Sequence, residues 1–173
     1  MLSWRSSASP SRASVQEVET LNEWRSWELH SSHEPLGLPS PAAGAPLTYT
    51  VPGAVEQLVL AASFTYTCSG AAGNRIPFIR FLDQSGSAFC EVATPFLLIA
   101  TNVCRVTFGV GIVQFGANSA ARIGAGIPGL RLSDGLRVQL GATAQLAADT
   151  ITAARLFVRQ WPVQLGGHYH SET

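Results

Sequence analysis

The 173-residue sequence predicts an all-β protein: an antiparallel, jelly-roll-like β-sandwich of about eight strands, preceded by an N-terminal arm that is extended or briefly helical. Two observations predict this class. Apolar and polar residues alternate with a period of two from residue 47 onward, which is typical of half-buried strands. Turn signals rich in Gly, Pro, Asn and Asp recur at short intervals, and no helical pattern of useful length separates them.

One expected strand covers residues 55–67, where even positions such as Leu58, Phe64 and Tyr66 are apolar and the odd positions are mostly polar. The even positions are therefore expected to face the core along the whole strand. The same alternation places the expected strands at 47–51, 55–67, 75–82, 87–92, 102–110, 120–132, 135–143 and 150–161.

Composition changes near residue 46 and divides the chain into three expected parts. Residues 1–46 hold three of the four Trp, five of the ten Pro, and five Glu against three Arg. This composition indicates an arm and a Pro-rich linker over 1–46, followed by a β-sandwich domain over 47–165 and a C-terminal tail over 166–173. Ser14 and Glu17 form a capping box, which predicts one short helix in the arm.

The arm carries three tryptophans that need a surface to cover them: Trp4, Trp24 and Trp27. A single short helix is marginal in water and cannot bury these indole rings by itself. The arm is therefore expected to bind partners through these side chains, either on its own β domain or on a neighbouring subunit. The sequence leaves both arrangements open.

The last expected strand has a second face that is rich in arginine and aromatic residues. Arg155, Phe157, Arg159 and Trp161 alternate with Leu156 and Val158. If the two aliphatic residues point inward, the other four form an outward strip with the composition enriched at protein interfaces. One interpretation is a docking strip for a partner subunit. The other is a strand buried on both sides beneath the arm.

The sequence offers no constellation for catalysis, a metal ion or a cofactor, and we expect none of them. All four histidines lie in the arm or among the last residues, away from the expected strands. Glu56 and Glu91 are the two carboxylates that could face each other across a cleft as in a glycosidase, but no feature of the sequence pairs them. Gly124 and Gly126 lack the lysine and helix of a phosphate loop, so they are expected to mark kinks or bulges. The carboxylates beside turns are expected to cap them: Asp83, Asp134 and Asp149.

Charge and cysteine content exclude further classes. The net charge is zero, all eleven basic residues are Arg, and charged residues make up only 13% of the chain. This composition argues against a basic nucleic-acid binder and favours a surface shared with other proteins. No apolar stretch approaches the roughly 18 residues that cross a membrane. The first residues lack the apolar segment that an export signal requires, so no such signal is expected. The three cysteines are expected to be small buried hydrophobes in an intracellular protein.

Several segments carry a family resemblance: Val51-Pro-Gly-Ala-Val55, Leu58–Thr67, Gly73-Asn-Arg75, Phe81-Leu-Asp83, Leu130–Val138, Leu146–Asp149 and Leu156–Trp161. Over residues 47–163 the chain resembles small β-sandwich virion structural proteins of tailed bacteriophages, of the capsid-decoration, minor-head or tail-associated type. The resemblance implies a non-enzymatic structural protein of a phage particle, most closely associated with the capsid and assembled in the host cytoplasm. The implied partners are other virion proteins and further copies of the chain in a homo-oligomer. No nucleic acid, membrane or small-molecule substrate is expected.

The alternative is a carbohydrate-binding β-sandwich module on a tail or a cell surface. Sugar sites need aromatic platforms with polar neighbours, and the β domain offers Trp161, Tyr49 and Tyr66 besides its phenylalanines. Tyr66 lies on the expected core parity, which leaves few residues to build such a platform.

Overall fold

The computed structural model describes residues 32–118 and 120–162. Within these residues the chain forms ten strands and no helix, so the all-β prediction is confirmed for them. The strands are β1 (Ser32–Gly37), β2 (Leu47–Thr50), β3 (Val55–Thr67), β4 (Ile76–Leu82), β5 (Ala88–Ala93), β6 (Val103–Gly109), β7 (Arg122–Gly126), β8 (Leu130–Leu132), β9 (Arg137–Thr143) and β10 (Thr150–Pro162). Trp4, Trp24, Trp27, the expected helix of the arm and the tail 166–173 lie outside the described residues.

The strands form two sheets. Sheet A has the order β1-β10-β3-β6-β7, with β8 also paired to β3, and sheet B has the order β2-β9-β4-β5. All strand pairs are antiparallel except β6 with β7, which run parallel. The predicted antiparallel pairing therefore holds for every described pair of strands except this one. Parallel neighbours need a connection of about a dozen residues, and residues 110–121 supply it.

The strand boundaries follow the predicted ones closely, but there are ten strands rather than about eight. The expected strand 120–132 is divided into β7 and β8 around Pro128, which has no backbone N–H for a sheet ladder. Residues 32–37, which the composition places in the arm, form β1 and pair with β10. Pro35 is compatible with β1 because this strand lies at the edge of sheet A.

Two β-bulges change which side chains of sheet A face the core. The register between β3 and β10 places Leu60 as an extra residue on β3 and leaves an extra residue on β10 at Ala153, whose φ is 50°. Gln57 and Val59 are consequently buried, whereas Leu58 is only half-buried. The prediction that even positions face the core along the whole of β3 is therefore wrong before the bulge and correct after it.

Both sheets contribute to a single hydrophobic core. Large side chains that are at most 1% exposed come from sheet A and from sheet B alike: Val59, Phe64, Val106, Phe108, Leu156, Val158, Ile79, Phe81, Val138 and Leu140. Each such side chain contributes about 1.5–3 kcal/mol when it leaves water. Because side chains alternate along a strand, the sequence neighbours of each core-facing residue in sheet A lie on the opposite face of the sheet.

Candidate interaction surface

The strip predicted on β10 lies on the outer face of sheet A, the face directed away from the core. Leu156 is fully buried and Val158 is 1% exposed, which confirms the expected alternation. Phe157, between them, is 43% exposed, on the strand next to the edge strand β1. Arg155 is exposed, while Arg159 and Trp161 are half-buried.

Neighbouring strands extend this strip across the sheet. Phe157 is opposite Pro35 on β1 and opposite Ala61 on β3, so the three side chains form one apolar row. Arg155 lies in the adjacent row, between Gly37 and Ser63. Because the residues beside Phe157 and Arg155 are small, nothing larger on β1 or β3 covers them.

Five arginines share the outer face of sheet A: Arg105, Arg122, Arg131, Arg155 and Arg159. We call this surface the arginine face. Among the described residues, the acidic side chain on this face is that of Glu56, which forms an ion pair with Arg131. Arg105 and Arg122 occupy directly paired positions of the two parallel strands. Like charges at such positions repel each other, so the face is suited to an anionic partner.

Trp161 is held by two of these arginines. The guanidinium carbon of Arg131 lies 5.1 Å from the indole centroid, and that of Arg159 lies 5.6 Å from it. Each contact of this type contributes about 0.5–1 kcal/mol at an exposed site. Glu56 is opposite Trp161 in the register and completes a small polar rim around the ring.

The loop 110–118 pairs with the edge of β7 through Phe115 and Gly124, and its Ile112 and Phe115 side chains cover glycines of the outer face. A Cβ atom at Gly124 would be 2.3 Å from the Phe115 ring, and one at Gly109 would be 2.6 Å from Ile112 Cδ1. Gly124 therefore marks a close approach rather than the kink or bulge that the sequence predicts, because a side chain there would displace the loop. The loop exposes Val113 by 85% and Phe115 by 42%.

A buried ionic cluster stands at one end of the two sheets. Arg75 and Asp149 are both fully buried, and their side chains form two hydrogen bonds of 3.1 Å each. The remaining donors of Arg75 reach the carbonyl oxygens of Ala71 and Gly73 and the hydroxyl of Ser69. All five guanidinium donors are thus used inside the protein, so the cluster offers none to a ligand.

Asp149 is saturated in the same way. Its carboxylate accepts hydrogen bonds from Tyr66 Oη at 2.9 Å, from Ser69 N at 2.7 Å and from Leu146 N at 2.8 Å, besides the two from Arg75. Burial alone would raise the pKa of Asp149, but the bonds from Arg75 and the backbone outweigh it and hold the pKa far below its usual range. Burial and the neighbouring carboxylate raise the pKa of Tyr66. The predicted turn cap at Asp149 is therefore one part of a larger structural clamp.

The other candidate chemical groups do not converge on a site. Glu56 lies on sheet A and Glu91 on sheet B, and each forms an ion pair with an arginine. Asp83 caps its turn as predicted, accepting a hydrogen bond of 2.8 Å from Ser87 N. The described part of the chain contains no group of three His, Cys, Asp or Glu side chains that could hold a metal ion. None of the three cysteines forms a disulfide, and Cys68 and Cys104 are buried as expected, whereas Cys90 is half-buried.

The aromatic residues of the carbohydrate hypothesis are dispersed as well. Tyr66 is fully buried against Asp149, and Tyr49 is half-buried and donates a hydrogen bond to Gln57. Of the three, Trp161 alone lies on the arginine face, where two guanidinium groups flank it.

Searches of family models, curated proteins and solved structures return no match for this chain. Among the described residues there is no helix of the length and apolarity required to cross a membrane.

Proposed function

We propose that the protein is a non-enzymatic structural subunit of a bacteriophage particle, most closely a capsid-associated decoration or minor head protein. It binds neighbouring subunits through the arginine face and the N-terminal arm. The observation that carries the proposal is the outer row of β10, where Phe157 is 43% exposed between Arg155 and Arg159 on a face that five arginines share. The assignment to a phage particle is supported by the resemblance over residues 47–163.

We also infer that the two sheets pack face to face as a jelly-roll-like β-sandwich. The shared core supports this arrangement, because side chains of both sheets enter it. The chain order supports it too, since successive strands pass repeatedly from one sheet to the other. In such a sandwich the arginine face is the outer surface of one layer, and the loop 110–118 packs against the glycines of the same layer.

The composition of the arginine face is the kind that proteins use for contact with other proteins. Arginine, tryptophan and phenylalanine are enriched at interfaces and carry much of their binding energy. Covering the exposed part of Phe157 contributes about 1–2 kcal/mol at the usual value per area of apolar surface. The arginines add orientation through bidentate bonds to carboxylates.

The proposal is tested by mass spectrometry of purified particles of the phage that encodes the chain, with Phe157→Asp and Phe89→Asp as a matched pair. Phe89 lies on sheet B and is 53% exposed, so both changes place a carboxylate at an exposed aromatic position. We expect the wild-type chain and the Phe89 variant in the particles, and the Phe157 variant depleted about tenfold. Absence of the wild-type chain from particles contradicts the proposal. Equal incorporation of both variants contradicts the assignment of the surface.

A further inference from the structure

The charge of the arginine face is not balanced by the rest of the described residues. The described part holds eight of the eleven Arg and six of the eleven acidic residues, although the whole chain has no net charge. The remaining residues are therefore acidic by the same margin. Five of the eight described arginines lie on the arginine face, where the acidic residue among the described ones is Glu56.

The acidic residues outside the described part are concentrated in one short stretch of sequence. Residues 14–30 contain one arginine, Arg25, and four glutamates. The glutamates are Glu17, Glu19, Glu23 and Glu28. The same stretch contains Trp24 and Trp27. Carboxylates match guanidinium groups in charge and geometry, and indole rings are the best aromatic partners of a guanidinium.

We propose that the arginine face binds the acidic, tryptophan-bearing stretch 14–30 of a second copy of the chain. This inference rests on the proposed function, in which copies adjoin one another in an assembly. The contact is heterologous, because two different surfaces meet, and it can therefore link copies in a ring or an open filament. Glutamates pair with Arg105, Arg122 and Arg155, and indole rings cover Phe157.

Two charge-reversed full-length chains test the pairing. The first carries Arg105→Glu, Arg122→Glu and Arg155→Glu, which makes the face acidic. The second carries Glu19→Arg and Glu23→Arg, which makes the stretch basic. We expect each chain alone to lose about tenfold or more in self-association, because like charges then meet. Mixing the two restores association between unlike chains, since the acidic face of one meets the basic stretch of the other.

Light scattering and sedimentation velocity of the separate and mixed chains give the masses. The matched control is Arg137→Glu on sheet B, which is expected to associate as the wild type does. Wild-type association should weaken as salt is added, because exposed charges are screened. Circular dichroism checks that every variant is folded. If the triple variant of the arginine face is unfolded, the single variant Arg155→Glu replaces it.

Three outcomes overturn the inference. One is a wild-type chain that stays monomeric, and another is reversed chains that associate as the wild type does or that fail to associate when mixed. The third is wild-type binding to a fluorescent single-stranded DNA oligonucleotide that is lost in the face-reversed chain, which assigns the face to phosphate. A monomeric wild type that still enters particles refutes this inference and leaves the proposed function standing. If the mixed chains associate again but the wild-type chain is absent from purified particles, the pairing of face and stretch stands and the proposed function is refuted.

Discussion

Replacing Asp149 with alanine is expected to destabilise the folded chain by about 3–5 kcal/mol, the usual cost of removing one partner from a buried ion pair. The structure accounts for this cost. The change removes the acceptor of five hydrogen bonds, including both bonds that neutralise Arg75. Arg75 then remains as a fully buried cation without its carboxylate.

Urea unfolding at neutral pH, followed by far-ultraviolet circular dichroism, measures the change. The melting temperature should fall by on the order of 10 °C for a domain of this size. Asp134→Ala is the matched control, because that carboxylate is exposed and the turn cap expected there is worth about 1 kcal/mol at most. A loss below about 1.5 kcal/mol for Asp149→Ala would refute the reasoning, since it would mean that the clamp is not needed for folding.

The pH dependence of stability gives a second readout of the same group. The pKa of Asp149 in the folded chain lies below its value of about 3.9 in an unfolded chain. Its contribution is therefore present above about pH 4 and is lost as the pH falls toward the folded pKa. The wild type should lose stability in this acid range, and the Asp149→Ala variant should lose less there.

Three further outcomes are expected. Leu156→Ala should cost about 2–5 kcal/mol in urea unfolding, whereas Phe157→Ala on the opposite face should cost less than about 1 kcal/mol; similar values would contradict the alternation. Gly124→Ala should destabilise by about 1–3 kcal/mol because its Cβ meets a loop phenylalanine, while Gly129→Ala, with neighbours at 3.6 Å and beyond, should be nearly neutral. Burial raises the pKa of Cys104 to about 11 in the folded chain. The stability that the neutral thiol contributes is therefore complete at a pH below the pKa of the unfolded chain, and it is lost as the pH rises toward 11. Alkaline unfolding with thiol titration checks this, and a thiol that titrates near pH 9 in the folded chain would contradict it.

The local part of the fold could be predicted because it depends on neighbouring residues. The strand at 55–67 was predicted with the bounds that the structure gives, since a run of alternating side chains ends at turn residues on both sides. The face of the last strand followed from the same rule, with Leu156 inward and Phe157 outward. These features need no information about distant parts of the chain.

The features that sequence reasoning missed depend on distant partners. The bulge at Leu60 is set by the register of β3 against β10, so Gln57 was expected to be exposed and is buried. Arg75 and Asp149 are separated by 74 positions, and nothing local marks them as partners. Strand β1 is short, lies at an edge and contains Pro35, which is typical of a linker until its partner strand is known.

The candidate site shows the same division. Four residues of the strip on β10 could be named from alternation, but the arginines of other strands that join them could not. One signal was present in the sequence: Gly109, Gly124 and Gly126 share the outward parity of their strands with Arg105 and Arg122. Glycines on an outer face indicate that another segment lies on it, as the loop 110–118 does here.

The most direct test of whether the arginine face binds partner subunits is hydroxyl-radical footprinting of the dilute chain and of the same chain in purified particles. The oxidation rates of Phe157 and Trp161 should fall severalfold on assembly, while that of Phe89 on sheet B stays unchanged. Unchanged oxidation of Phe157 and Trp161 in the assembled chain, with or without protection of Phe89, would contradict the assignment of this surface.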